Sequence, residues 1–213
     1  MSVTTARELF TDELKDMYSA EKQAVRAYPR IAKVVQSAEL KQALQEHLEQ
    51  TKQHVERLDQ VFEILEKRPT GKTCKGMKGL LEEASEKVDE IEKGSILDAA
   101  LIGALQRVEH YEISAYGTVA TLAEAMGEND IHELLAETLQ EEKATDQRLT
   151  EVSMTVNSEA LEEGQEEEEE EDEDEDEDED DDEFEDEDDE EEEEPTTTQS
   201  AKSFSGSKSR SKR

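Results

Sequence analysis

The chain has 213 residues and a formal net charge of −37, with 61 Asp and Glu against 24 Lys and Arg. Residues 166–194 supply 28 negative charges, interrupted by Phe184, and the tip after Pro195 returns five positive ones, leaving −14 on residues 1–165. This balance argues against nucleic acid as a partner, since neutralising phosphates needs free positive charge; one cysteine, Cys74, excludes an internal disulfide; and no run approaches the roughly 20 apolar residues that cross a bilayer.

The opening stretch MSVTTARELF lacks the basic start and continuous apolar run of a signal peptide, which points to a reducing cytoplasm. From Thr4 to Ser153 the chain is rich in Ala, Leu, Glu, Lys and Gln and poor in Pro and Gly, the composition of an all-α domain. Thr5 with Glu8 predicts a capping box opening a first helix over 5–36. Pro29 falls inside it, where its ring and missing N–H free a carbonyl one turn upstream. Ser37 is the N-cap of a second helix, 38–66, with Glu39 in its first turn, ending near Arg68-Pro69. A short helix follows from Met77 to Ile91. Ser95 with Asp98 opens a long helix that stops at Gly127, and the last begins near Asn129 or Asp130 and runs to about Ser153.

Short connections make the first two long helices one antiparallel hairpin and the last two another. About 27 residues, including the short helix, separate the pairs. A helix of about 28 residues spans about 42 Å, and the connector can return along that whole length. One long crossover is the ferritin-like arrangement of a four-helix bundle. The domain is expected over residues 4–156, followed by a disordered tail over 157–213 with a polyacidic run (166–194) and a basic tip (202–213), because alternating Glu and Asp cannot bury enough apolar surface to fold.

The apolar stripe of the first helix runs through Phe10, Leu14, Met17, Ala24, Tyr28 and Ile31, with Glu21 where a hydrophobe belongs. The second runs through Leu40, Leu44, Leu58 and Phe62 and is interrupted by His47, Thr51 and His54. In the third long helix Glu112 sits on the stripe and Glu109 on its shoulder; in the fourth, Glu142 follows Leu135 and Thr138. Each interruption lies near mid-helix, so in a bundle they share one layer. Several buried carboxylates at one level repel each other unless cations neutralise them. Glu21, His54, Glu109, Glu112 and Glu142 are therefore the candidate ligands of two metal ions, iron or manganese, with His47 and Glu49 as a second tier. No catalytic residue is assigned beyond the ligands. His110 and His132 fall outside the stripes, and Tyr28, Tyr111 and Tyr116 read as packing aromatics, of which one near the metal layer could hydrogen-bond a ligand. Cys74 reads as a structural cysteine.

The stretches YSAEKQAVRAYPRIAK (18–33), EHLEQTKQHVERLDQVFE (46–63), CKGMKGLLEEA (74–84), DAALIGALQRVEHYEISAYGTVATLA (98–123) and ETLQEEKATDQRLTEV (137–152) resemble the YciE/YciF family, also called DUF892. The resemblance covers residues 4–155. It implies a ferritin-like fold related to rubrerythrin, ferritin and manganese catalase, an association with bacterial stress responses, and homodimers. Di-metal relatives carry one Glu on each of two helices and Glu-x-x-His on each of the other two. Here Glu21 suits the first helix and Glu109 or Glu112 the third. Glu49 is followed three residues on by Lys52, His54 is preceded by Gln50 and Thr51, and Glu142 is followed by Thr145 in place of histidine. Three arrangements remain open: a site of reduced charge, an unusual use of His54, or a bundle that no longer holds two metals.

The function implied is a stress-related di-metal protein acting on peroxide or ferrous iron. The alternative is a non-catalytic dimeric helical interaction protein. In either case the acidic tail is a solvating brush, a collector of cations or a lure for basic proteins.

Overall fold

The computed structural model describes residues 3–70 and 72–179, with side chains as far as Gln165. The basic tip and the later part of the polyacidic run lie outside the described residues. Five helices follow in order: α1 (Ala6–Ile31), α2 (Ala38–Ile64), α3 (Lys75–Glu90), α4 (Ser95–Ala125) and α5 (Asn129–Glu179). Helices α1, α2, α4 and α5 are the long helices of the expected all-α ferritin-like bundle, and α3, in the crossover, packs on α1 and α4. No helix among the described residues is long and apolar enough to cross a membrane.

Local chemistry sets most helix ends. At α1 the capping box is complete: the Glu8 N–H donates to Thr5 Oγ1 at 3.2 Å, and the Thr5 N–H donates to Glu8 Oε2 at 3.0 Å. Ser37 caps α2 by accepting from the Leu40 N–H at 3.3 Å. Helix α4 stops where Gly127 takes φ +72°. The Gly127 N–H then bonds Glu124 O and the Glu128 N–H bonds Ala123 O, both at 3.0 Å, the paired closure favoured by a left-handed residue after the helix.

Several boundaries differ from the sequence expectation. Helix α1 ends at Ile31, two residues past Pro29, and not at 36. Helix α2 ends at Ile64, before Arg68, because Glu66 takes φ 53° and the Lys67 N–H turns back to Phe62 O at 2.9 Å. This repeats the α4 closure with a non-glycine residue, at a cost of about 1–2 kcal/mol. Helix α3 starts at Lys75, two residues early, because the buried Cys74 acts as its N-cap, Sγ accepting from the Met77 N–H at 3.3 Å.

Asp98 does not form a box with Ser95. Its carboxylate accepts from the Gln36 N–H at 3.1 Å and the Ser37 N–H at 2.6 Å, tying α4 to the α1–α2 turn. Ser95 is held instead by Glu163, whose Oε2 accepts from the Ser95 N–H at 2.7 Å and from its hydroxyl. The carboxylate packs so closely that a Cβ on Gly94 would collide with it.

Glu163 is available because α5 runs far past Ser153, where the apolar stripe gives out. Residues 157–179, expected to be disordered, continue the helix to Glu179. Val156 is buried, and the Glu163 contact holds the next two turns against α4.

The core is two apolar clusters. One gathers Tyr28, Ile31, Leu40, Leu44, Leu97, Leu101, Leu105, Leu149 and Val152. The other gathers Phe10, Leu14, Met17, Leu58, Phe62, Tyr116, Val119, Ile131 and Leu135. On every long helix a buried Glu or His falls at the boundary between the two.

Candidate metal centre

Six side chains meet at that boundary. Glu21, His54, Glu109 and Glu142 are 0 % exposed, Glu112 1 % and His47 3 %. Helix α1 contributes Glu21, α2 contributes His47 and His54, α4 contributes Glu109 and Glu112, and α5 contributes Glu142. The two histidines are seven residues apart and the α4 carboxylates three, spacings that keep each pair on one helix face.

The six resolve into two ligand groups. His47, Glu109, Glu112 and Glu142 each place one potential ligand atom within 4.8 Å of the others, and so do Glu21, His54 and Glu142. Glu142 belongs to both. Its Oε2 lies 3.7 Å from His47 Nε2 and its Oε1 2.9 Å from His54 Nδ1. His47 Nε2 is 3.2 Å from Glu109 Oε1, and His54 Nδ1 is 3.6 Å from Glu21 Oε1.

The far nitrogen of each ring has a partner outside the cluster. His54 Nε2 lies 2.9 Å from Glu141 Oε2. Glu141 is clamped in turn by both terminal nitrogens of Arg57, with Nη2 at 2.9 Å from Oε1. Arg57 also donates to Glu137 and Thr138. His47 Nδ1 lies 3.1 Å from Thr145 Oγ1, whose own hydrogen goes to Glu141 O, leaving the hydroxyl to accept. Each imidazole can therefore donate outward and turn a lone pair on its other nitrogen toward the carboxylates. Two tyrosines complete the surround: Tyr116 donates to Glu21 Oε1 at 2.5 Å and Tyr28 to Glu109 Oε1 at 3.4 Å.

The electrostatics of this layer are unfavourable without cations. Burial pushes the Glu112 carboxyl well above the usual carboxylate range, and Glu21, Glu142 and Glu109 push it further. Burial likewise raises Glu142, to about 7, despite the histidines beside it. Burial alone would discharge the imidazoles, but the carboxylates overcome it, holding His47 at about 9 and His54 at about 10. Protons are thus retained where neutralising charge is needed. Among the described residues, eight side-chain atoms in the layer, including both oxygens of Glu112 and of Glu142, make no well-aligned hydrogen bond, although His54 Nδ1 and Glu142 Oε1 are 2.9 Å apart. Buried polar atoms are nearly always satisfied, so eight exceptions converging on one spot fit a group that accepts lone pairs. Four carboxylates and two neutral imidazoles offset the charge of two divalent cations, and their mixed oxygen and nitrogen donors suit iron or manganese.

The sequence-derived ligands Glu21, His54, Glu109, Glu112 and Glu142 are all brought together, and His47 joins them in full. Glu49 is not: it lies on the surface, 2.6 Å from Lys52 Nζ. Glu141, Arg57 and the role of Thr145 went unrecognised in the sequence, although Arg57, three residues after His54, was a usable signal; of the tyrosines expected to pack or to bond a ligand, Tyr28 and Tyr116 do bond Glu109 and Glu21. His110 is exposed, 3.2 Å from Asp146, and His132 bonds Ala120 O at 2.9 Å. Cys74 is buried beside Tyr111 and Asp16, and burial pushes its thiol up, away from reactivity.

Residues 5–173 match the family described as Domain of unknown function (DUF892). The chain belongs to the DUF892 family. Protein YciF of Escherichia coli strain K12, a relative of this DUF892 chain, is 46% identical over 162 residues, 75% of this chain and 98% of that protein. The crystal structure of the E. coli stress protein YciF superposes with a TM-score of 0.71 at 45% identity, covering 73% of this chain and 99% of the other. YcfI of Rhodopseudomonas palustris, whose description suggests a structural role, has a TM-score of 0.68 at 41% identity over 70% of this chain and 95% of its own. The DUF892 match ends at residue 173, inside the polyacidic run.

Proposed function

We propose that this chain is a cytoplasmic, homodimeric, stress-related di-metal protein that binds two iron or manganese ions in the mid-bundle layer and acts on peroxide or ferrous iron. The observation that carries the reading is the set of eight buried atoms that make no well-aligned hydrogen bond, arranged as two ligand groups that share Glu142. A pair of bound iron or manganese ions would supply Lewis acidity and a redox couple for chemistry at an oxygen–oxygen bond.

The protein's own part is to hold and neutralise the ions. Glu142 spans the two groups; Glu109 and Glu112 complete one and Glu21 the other. His47 and His54 must give up protons to ligate, and the outward bonds to Thr145 and Glu141 fix which nitrogen faces inward. Tyr116 and Tyr28 hold the carboxylate oxygens in orientation, and the apolar clusters on either side keep bulk water out. The stress association rests on the E. coli relative's description as a stress protein.

A non-catalytic helical interaction protein is the second reading, supported by the structural role suggested for the R. palustris relative. On that reading the acidic run recruits cations or basic proteins. Elemental analysis of the full chain, purified without a chelating tag and loaded anaerobically, separates the two. The first reading expects two iron or manganese ions per chain; a preparation that takes up neither metal sinks it.

A further inference from the structure

The seam between α2 and α5 is closed at His54 and open at His47. At His54, Arg57 reaches across to Glu137, Thr138 and Glu141 and fills the gap. Two turns earlier on α2 a hollow of 160 Å³ remains, with Ala43 and Gln50 on one wall and Ala144 and Arg148 on the other. Small side chains on facing positions, Ala43 and Ala144, are what leave it unfilled.

The inner residues of this hollow are His47 and Thr145. His47 Nε2 itself is buried and faces Glu109 and Glu142, so the hollow ends on the outer side of a ring that belongs to the cluster. The remaining five cluster residues are at most 1 % exposed.

Size and charge select what can use such a path. The hollow has room for several water-sized guests. An octahedral aqua cation carries about six waters and sheds them reluctantly when small and divalent. The rim pairs one acid, Glu46, with one base, Arg148, and so lacks the single-sign field that draws ions into a cleft. Gln50 and the Thr145 hydroxyl offer hydrogen bonds to a neutral guest.

We infer that this hollow is the window through which a small uncharged reactant of the peroxide class reaches the cluster, and that ferrous ion does not use it. The inference rests on the di-metal reading and narrows its substrate.

The test uses the full chain in two states. In the metal-free protein, dissolved oxygen serves as a neutral paramagnetic probe of the histidine ring protons by NMR, with exposed His110 as reference. His47 should relax several-fold faster than His54 on oxygenation, and Ala144→Phe, a change at an exposed position, should bring His47 down to the His54 rate. In the metal-loaded protein, Ala144→Phe should slow peroxide disproportionation to water and dioxygen about tenfold, with metal content and Tm unchanged and Ala144→Ser at the parent rate. Equal oxygen effects on His47 and His54, or an unslowed Ala144→Phe rate, overturn the window. A metal-loaded parent that fails to consume peroxide while the oxygen effect is present counts against the catalytic reading, not against the window.

Discussion

His47 Nδ1 lies 3.1 Å from the hydroxyl of Thr145, the residue one turn after Glu142 on α5. Where a Glu-x-x-His pair would carry its histidine this chain carries a short threonine, and the His47 ring from α2 reaches the cluster instead. Thr145→Val keeps the shape and removes the acceptor. It should weaken metal binding about 10–100-fold, the usual effect of losing the outer partner of a ligating histidine. Chelator competition on the loaded protein measures it, and an unchanged affinity would show that the hydroxyl does not orient the ring.

Glu141 does the corresponding work for His54, with a second role in the Arg57 clamp. Burial would raise its pKa, but Arg57 and His54 hold it below the ordinary range. Glu141→Gln should cost a similar 10–100-fold in affinity and about 1–2 kcal/mol of metal-free stability, since one partner of a partly buried charged contact is lost. Urea unfolding of the metal-free variant reads the second effect separately from the first.

Glu112 has neither oxygen satisfied. In the metal-free state burial and the neighbouring carboxylates push it toward its neutral form and it makes no hydrogen bond, so Glu112→Gln should leave metal-free Tm level or higher while lowering the metal taken up per chain. Glu49→Ala, on the surface, should change neither quantity. A metal-free Glu112→Gln protein much less stable than the parent would mean that the carboxyl makes a structural bond.

The raised pKa values of His47, His54 and Glu142 give metal-free stability a definite slope with pH. A group with a raised folded-state pKa contributes fully below its unfolded value and loses that contribution as pH rises through the folded one. For Glu142 the loss runs from about 4.5 to about 7. For the histidines it runs from 6.5 to about 9 and about 10. Metal-free Tm should therefore fall between pH 6 and pH 9. Metal binding releases these protons, so the stabilisation by added manganese should grow over the same window. Paired calorimetric scans with and without manganese check both signs.

The bundle was readable in the sequence because apolar spacing, caps and connector length answer to local rules. So were Glu21, Glu109, Glu112, Glu142 and His54, since a charged residue on a core stripe stands out against its neighbours. The distribution of ligands over helices was harder. The chain keeps four carboxylates and two imidazoles, but places both histidines on α2 and two carboxylates on α4. Absence of Glu-x-x-His therefore left open a site of reduced charge, an unusual use of His54 or a bundle without two metals, whereas the layer gathers four carboxylates and two imidazoles from other helix positions. Glu141 was hidden because, in a chain with 61 acidic residues, one more Glu on a polar helix edge looks like solvated surface. The His54 ring at 2.9 Å and the Arg57 clamp distinguish it. The run of α5 past Ser153 was missed because its anchor, Glu163 on Ser95, joins residues 68 apart in sequence.

Because the ligand layer separates two apolar clusters, the bundle is close to two short bundles stacked end to end. Emptied of cations, its waist is the place where the halves can come apart independently, and local opening there should precede global unfolding. Were the proposed sites filled, the same waist would cross-link all four long helices, so the ions would set the mechanical unity of the fold as well as its chemistry.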